Sequence, residues 1–174
     1  MLNLHIVSVA LASDEPFRSV TQSASPSGGV PGPFDVGISV ETRVHNRSGT
    51  DMETAFRETE ALLIGSRLRE EFETAAGWGV VRLFPEPSVI PQLTAYLEVL
   101  ESDGRELTLK VTARTVSGEL LLSQSYRDTS TDEDYSNDLK DPFADLFIAV
   151  HNDIADALSS KSISEPYLRV VSSL

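Results

Sequence analysis

Three alternating segments, separated by two glycine-containing turns, constrain the fold of this chain more than any other feature of its sequence. The segments are LTAYLEVLE, RELTLKVTART and LLLSQSYR, and they lie within residues 92–127. Asp103-Gly104 and Ser117-Gly118 separate them, and such dipeptides between alternating runs are typical of β-hairpins. Alternation with a period of two residues predicts strands with one buried face. The sequence therefore predicts a three-stranded antiparallel meander.

Further strands are predicted upstream of this meander. VGISVETRV, residues 36–44, alternates cleanly, and GVVRLF forms a short strand that Pro85 and Pro87 end. Residues 2–11 fit a strand buried on both faces. Between them, residues 19–35 are rich in Ser, Gly and Pro, and this composition predicts a connecting loop.

Two segments have the spacing of amphipathic helices. The first begins at a capping box, Thr50-x-x-Glu53, and runs to about residue 76. In the second, Asp141 is placed to cap the helix and Pro142 to occupy its first turn. The core-facing residues predicted from the spacing are Ala61, Ile64, Leu68, Phe72 and Ala75 in the first helix, and Phe143, Phe147, Val150, Ile154 and Leu158 in the second.

Runs of strands interrupted by two long helices predict an α/β (α+β) fold, with a mainly antiparallel sheet and both principal helices packed on one face. At 174 residues the chain suits a single domain spanning 1–174. It contains no run of the roughly 20 apolar residues that a membrane-spanning helix needs, so we expect no direct membrane insertion of this chain.

Charge and composition exclude several classes of function. With 27 acidic and 14 basic residues, the net charge of -13 disfavours nucleic acid as a partner. The chain has no cysteine, which excludes disulfides and thiolate metal sites. The three histidines, His5, His45 and His151, lie in separate predicted elements, and His151 is placed on the flank of the last helix. Because no catalytic motif accompanies them, we expect no enzyme activity, no catalytic residue and no cofactor.

An acidic segment, TDEDYSNDLKDPF, raises the question of a metal site. A calcium loop starting at Asp132 would place Asn137 where glycine is required and Phe143 where a bidentate glutamate is required. A calcium loop starting two residues later also lacks both the required glycine and the required glutamate. We therefore predict a hydrated connection between the meander and the last helix and no specific metal site, with weak attraction of cations as the alternative.

The middle of the chain resembles a known arrangement. VGISVETRVHNRSG, a long helix, GWGVVRLF and the later strands, closed by DPFADLFIAVHNDIADAL, are similar to the amino-terminal domain of TolB and its envelope relatives. These relatives include CsgG-like and LpoB-like lipoproteins and auxiliary lipoproteins of ABC-type transport systems. The resemblance covers about residues 36–158, and its motif-like residues are Asn46, Ser48 and Gly49. It implies a periplasmic or outer-membrane-associated protein, although the chain has no lipobox cysteine, and a cytoplasmic location is the alternative.

The resemblance implies a non-enzymatic accessory or assembly module of the bacterial cell envelope, which binds a partner protein or self-associates. The expected contact surface is the outer face of the long helix together with Asn46, Ser48, Gly49, Trp78 and Phe84. The position of Trp78 between a helix and a strand also favours a second interpretation, in which it plugs the edge of the core.

Two alternative functions make structural demands that can be compared with the fold. A small-ligand or lipid carrier in a transport system would need an apolar pocket between sheet and helices. A hydrolase would need a histidine in a cleft, beside carboxylates of perturbed pKa.

Overall fold

A six-stranded mixed sheet covered on one face by two helices forms this structure, a computed structural model that describes residues 17–20, 32–42, 51–84, 91–132 and 141–161. The elements in chain order are β1 (Arg18–Val20), β2 (Phe34–Thr42), α1 (Asp51–Thr74), β3 (Trp78–Phe84), β4 (Leu93–Ser102), β5 (Glu106–Thr115), β6 (Leu120–Thr129) and α2 (Ala144–Ser160). The predicted strand at 2–11, the motif-like residues Asn46, Ser48 and Gly49, the predicted cap Thr50 and the chain beyond 161 lie outside the described residues.

The strand order is β1-β6-β5-β4-β2-β3. β5 pairs antiparallel with both β4 and β6, whereas β1 with β6, β2 with β4 and β2 with β3 are parallel pairs. The α/β class is as predicted, but the antiparallel arrangement is confined to the centre of the sheet. The parallel pair of β2 and β3 arises because α1 connects these strands and returns the chain to the same end of the sheet.

The connecting loop predicted for residues 19–35 is wrong at both ends. Ser19 and Val20 belong to β1, which pairs with β6. β2 begins at Phe34, whose side chain is fully buried. A three-residue edge strand is too short to show alternation, and Gly32 beside Phe34 hides the start of β2 in loop-like composition.

The core lies between the helices and one face of the sheet. Alternate residues of the central strands supply the sheet side, as predicted. From the helices, the core receives the predicted residues Ile64, Leu68 and Phe72 of α1 and Phe147, Val150, Ile154 and Leu158 of α2, while Ala61, Ala75 and Phe143 are partly buried. No helix in the described part of the chain is long and apolar enough to cross a membrane.

Gly37 in β2 marks a close approach on the face of the sheet opposite the helices. A Cβ atom at this position would lie 2.6 Å from Pro91 Cγ and 2.8 Å from Phe84 Cε2. Phe84 ends β3 and Pro91 immediately precedes Gln92 and β4, so the two ends of this connection meet over β2. Only a residue without a side chain fits beneath them.

α2 begins later than predicted. Its first residue is Ala144, and the residue before it, Phe143, makes no side-chain cap hydrogen bond. Asp141 instead accepts the Phe143 N–H at its Oδ1 (2.8 Å) and the Ala144 N–H at its main-chain oxygen (3.1 Å). Residues 141–143 therefore form a turn that leads into the helix. The Asp141 carboxylate also lies 2.8 Å from Arg67 Nε, which ties this turn to α1.

Candidate functional site

Apolar residues lie on two sides of α1. Ile64, Leu68 and Phe72 repeat at every fourth position and are buried against the sheet. Met52, Phe56 and Leu63 are separated by four and seven residues, which aligns them in a second row at 100° per residue. This second row faces away from the sheet, so folding of the described chain does not use it.

The residues of this second row are strongly exposed. Met52 is 81% exposed, Phe56 63% and Leu63 57%, and Leu62 at the margin of the row is 55% exposed. We term these four residues the outer stripe of α1. Single exposed apolar residues are normal on a protein surface, but a row of them extending about 17 Å along one helix forms a patch.

A first groove runs along one side of the outer stripe. It has a volume of about 400 Å³ and lies between α1, the adjoining ends of β4 and β5 and the turn before α2. Leu63 forms part of its wall, and Leu107 and Phe147 belong to its apolar lining. Glu60 and Asp141 place carboxylates in the same groove. It thus combines an apolar floor with an acidic margin.

A second groove lies on the other side of the stripe. It has a volume of about 500 Å³ and separates the N-terminal half of α1 from the ends of β2 and β3. Leu62 forms part of its wall, and Leu83 and Phe84 contribute to its apolar lining. Glu41 and Glu58 line it as well. The stripe is therefore the ridge between two grooves of similar character.

The arginines beside the outer stripe are already paired with carboxylates. Arg57 Nη1 lies 2.8 Å from Glu60 Oε2. Arg67 contacts Asp141 through Nε and Glu70 Oε2 through Nη1, the latter at 3.0 Å. The hydrogen bond with Glu70 is the main cause that raises the pKa of Arg67. These pairs leave the surroundings of the stripe acidic.

Along α1, a spacing of four residues predicts the ion pairs Glu53–Arg57, Arg67–Glu71 and Arg69–Glu73. The pair between Arg69 and Glu73 is present, at 3.4 Å. The predicted partner of Arg67 was Glu71, whereas the observed pair three residues on is with Glu70.

Trp78 is held at the edge of the core. Its Nε1–H donates to His151 Nε2 over 2.9 Å, and its ring packs edge-on against Phe72 with centroids 4.7 Å apart. The contacts with His151 and Phe72 agree with the interpretation in which Trp78 closes the edge of the core. A role for Trp78 in contacting a partner stays a prediction.

His151 lies in α2 on the flank of the predicted apolar stripe, and this flank is buried, with 2% of the residue's surface exposed. The side of α2 next to the predicted stripe is covered by Trp78 and Phe72. Nε2 accepts the Trp78 hydrogen bond, which assigns the imidazole proton to Nδ1, 3.2 Å from Asn152 Oδ1. Burial lowers the pKa of His151. Nε2 therefore links α2 to β3, whereas Nδ1 is engaged within α2 itself.

A second polar cluster joins β1, β6 and α2. The hydroxyl of Tyr126, which is fully buried, donates to Asp153 Oδ2 over 2.7 Å. Arg18 contacts the same carboxylate oxygen. Burial raises the pKa of Tyr126, with the hydrogen bond to Asp153 as a further cause. This cluster fixes α2 to the sheet edge and is structural in character.

Of the other predicted contact residues, one lies in the described part of the chain and three lie outside it. Phe84 is half-buried in the second groove and covers Gly37. Asn46, Ser48 and Gly49 lie outside the described residues. Met52, Phe56, Leu62 and Leu63 lie on the predicted outer face of the long helix but are not among the predicted contact residues, although their spacing is a usable signal. Across the described ranges, no group of three or more His, Asp or Glu side chains could hold a metal ion, and residues 133–140 of the acidic segment lie outside them.

Comparison with known proteins identified similar solved structures. No family model and no curated protein matches this sequence. The dodecamer of PelC from Paraburkholderia phytofirmans, in two crystal forms, has 12% sequence identity and TM-scores of 0.46 and 0.45; the matches cover 79% of this chain and 94% and 95% of that chain. A neuraminyllactose-binding hemagglutinin homologue from Helicobacter pylori has 14% identity and a TM-score of 0.36, covering 87% of this chain and 97% of that chain. Identities this low, with TM-scores below 0.5, establish neither a shared family nor a shared activity.

Proposed function

We propose that this chain is a non-enzymatic binding module that associates with a partner protein, or with a second copy of itself, through the outer stripe of α1. The observation that carries the proposal is the exposure of Met52, Phe56 and Leu63 in one row on a helix whose opposite side is buried. Full burial of such a side chain contributes about 1.5–3 kcal/mol. In the isolated chain these side chains stay exposed and this stabilisation is absent. It is gained when a partner buries them.

The two polar clusters of the described structure support the non-enzymatic part of the proposal. His151 uses both ring nitrogens in contacts with Trp78 and Asn152, and Asp153 is engaged by Tyr126 and Arg18. A catalytic acid or base has to come within hydrogen-bond reach of its substrate, and His151 and Tyr126 are buried among side chains of the fold. These groups instead hold α2 against α1 and the sheet.

The location and shape of the two grooves favour a protein contact over a small-ligand carrier. A small-ligand carrier encloses most of its ligand in an apolar pocket, whereas these two grooves between α1 and the strand ends are open to solvent and carry carboxylates in their lining. A partner lying on the stripe would cover both grooves at once. A place in the bacterial cell envelope belongs to the proposal through the resemblance to TolB-like and CsgG-like proteins.

Site-specific photo-crosslinking in the host organism tests this proposal. A photoreactive amino acid replaces Thr59, which is exposed and lies within the row of Met52, Phe56 and Leu63. We expect a discrete adduct, either a crosslinked dimer or a complex with one partner protein. The same probe at Lys110, exposed on the far side of the sheet, is the positional control.

A matched pair of variants completes the test. Met52→Ser/Phe56→Ser/Leu63→Ser, the stripe variant, should remove the adduct. Val80→Ser/Leu120→Ser, which changes two other exposed apolar residues (50% and 43%), should leave it intact. A folded chain that yields no adduct at position 59, or one that the stripe variant leaves unchanged, would refute the proposal.

A further inference from the structure

We propose that the partner docked on the outer stripe is a basic amphipathic helix, an inference that rests on the proposed function. It follows from two properties of the same surface. The first is the excess of carboxylates around the stripe and its grooves. The second is the linear, helix-like spacing of the exposed apolar residues.

Carboxylates outnumber guanidinium groups around the stripe. Among the described residues of α1 up to Arg67 and of the two grooves, the acidic side chains are Glu41, Glu53, Glu58, Glu60 and Asp141, and the basic ones are Arg57 and Arg67. Both arginines are already bonded to carboxylates. The chain as a whole carries a net charge of -13. A docked partner therefore meets a negative potential on both sides of the apolar row.

This potential discriminates between the candidate occupants. A second copy of the chain would bring its own acidic margins against these, and like charges at a contact oppose association. An uncharged apolar partner would take carboxylates out of water without supplying counter-charges, which is costly. A partner with Lys or Arg beside its apolar residues satisfies both requirements. Long basic side chains can lay their aliphatic stems over the groove floors and present the charge at Glu58 or Glu60.

The form of the surface indicates that the partner is a helix. Met52, Phe56 and Leu63 form a row along α1, and the C-terminal end of the outer stripe adjoins a groove on each side, the first at Leu63 and the second at Leu62. Side-chain ridges of one helix pack into the grooves of another, and apolar residues repeating every three or four positions would match this row. An extended peptide would instead need an unpaired strand edge, and the main chain of α1 is occupied by its own helical hydrogen bonds.

Binding of a defined peptide pair tests the inference. The probe is a fluorescently labelled peptide of about 18 residues, roughly five helical turns, built from Leu and Lys with leucine at positions i, i+3, i+4 and i+7. Its match has the same leucines and glutamate in place of every lysine. Fluorescence anisotropy should show saturable binding of the lysine peptide with one peptide per chain, weakened by added salt, and at least about tenfold weaker binding of the glutamate peptide.

Variants of the chain place the binding on the stripe. Met52→Ser/Phe56→Ser/Leu63→Ser should weaken the lysine peptide at least about tenfold, and Val80→Ser/Leu120→Ser less than about twofold. Glu53→Gln/Glu58→Gln should weaken it about threefold to tenfold. The matched charge control, Glu119→Gln/Asp156→Asn, removes two exposed acidic residues that line neither groove, one in the turn between β5 and β6 and one in α2, and should have little effect.

The outcomes separate this inference from the proposed function. Equal affinity for the two peptides, or equal weakening by both pairs of charge variants, would show a nonspecific attraction to an acidic protein and would overturn the inference. If the crosslink at position 59 is a dimer that the stripe variant abolishes, and the lysine peptide does not bind, the proposed function stands and the basic helix is wrong. Absence of both adduct and peptide binding would remove both.

Discussion

The two helices cover the same face of the sheet but distribute their apolar residues differently. In α2 the large side chains Phe147, Val150, Ile154 and Leu158 are all at most 3% exposed. In α1 the large apolar residues from Ile64 onward are likewise buried, whereas those before it form the exposed outer stripe. Packing against the sheet accounts for the apolar residues of α2 and for half of those of α1. The proposed function explains the other apolar residues of α1, which form the outer stripe.

The inner side of α1 is tightly fixed even near its exposed half. A Cβ atom at Gly65 would lie 2.4 Å from Leu83 Cδ1 and 3.0 Å from Val40 Cγ2, so the helix approaches β2 and β3 too closely for a side chain. The adjacent Leu62 and Leu63 are exposed nonetheless. The stripe is therefore presented by an anchored helix, and a partner does not have to order it first.

The largest expected effect separates the two sides of α1. Phe72→Ala removes a fully buried ring that packs against Trp78, and we expect it to lower the free energy of unfolding by about 3–5 kcal/mol. Phe56→Ala truncates a ring that is 63% exposed and should change it by less than about 0.5 kcal/mol. Urea unfolding followed by circular dichroism measures both values. If Phe56→Ala lowers the free energy of unfolding as much as Phe72→Ala does, the outer stripe contributes to folding, and the described difference between the two sides of α1 is wrong.

A smaller effect is expected where α2 meets the sheet edge. Asp153→Ala leaves the buried hydroxyl of Tyr126 without its acceptor, and we expect a loss of about 1–3 kcal/mol. Tyr126→Phe removes the hydroxyl itself and should cost about 0.5–1.5 kcal/mol.

A double-mutant cycle measures the contact between these two side chains. The double variant should lose less stability than the two single variants combined, because the second change removes a group that has already lost its partner. Strict additivity in urea unfolding would show that Tyr126 and Asp153 do not depend on each other. In that case the contact between the Tyr126 hydroxyl and the Asp153 carboxylate would contribute nothing to holding α2 at the sheet edge.

Elements with local signals could be predicted from the sequence. β5 follows from the alternation of Leu107, Leu109 and Val111, and the turn before it from Asp103, whose Oδ1 accepts the main-chain N–H groups of Arg105 and Glu106 at 2.8 Å. The inner stripe of α1 follows from helical spacing in the same way. In each case the residues that carry the signal are near neighbours in sequence.

Features that depend on distant contacts could not be predicted in this way. β1 exists through its pairing with β6, and its three residues contain no pattern of their own. The burial of His151 depends on Trp78, 73 residues away. For the candidate site, the positions of Met52, Phe56 and Leu63 were visible, but a helix with apolar residues on two sides does not reveal which side faces the sheet. The sheet topology decides that question.

The smallest expected effect is a pH dependence at the point where both helices meet. The imidazole of His151 faces Phe72 from α1, Trp78 from β3, and Asn152 and Asp156 on its own helix. Burial lowers the pKa of His151, and the opposing influences of Asn152 and Asp156 are smaller. The unfolded chain, with an ordinary histidine pKa near 6.5, therefore binds a proton at a pH where the folded chain does not.

The sign of the effect follows from that difference. Stability from the neutral imidazole is fully present above about pH 6.5 and is lost as the pH falls from there through the lower pKa of the folded state, at no more than about 1.4 kcal/mol per pH unit. His151→Gln keeps an acceptor for Trp78 but cannot titrate, so its stability should fall less between pH 6.5 and 5. Urea unfolding followed by the fluorescence of Trp78, the single tryptophan, measures both proteins, and His5 and His45 contribute equally to each. If stability falls equally with pH in the unmodified chain and in His151→Gln, the imidazole is protonated or solvated in the folded chain. That result would contradict the buried, neutral His151 described at the contact of α1, β3 and α2.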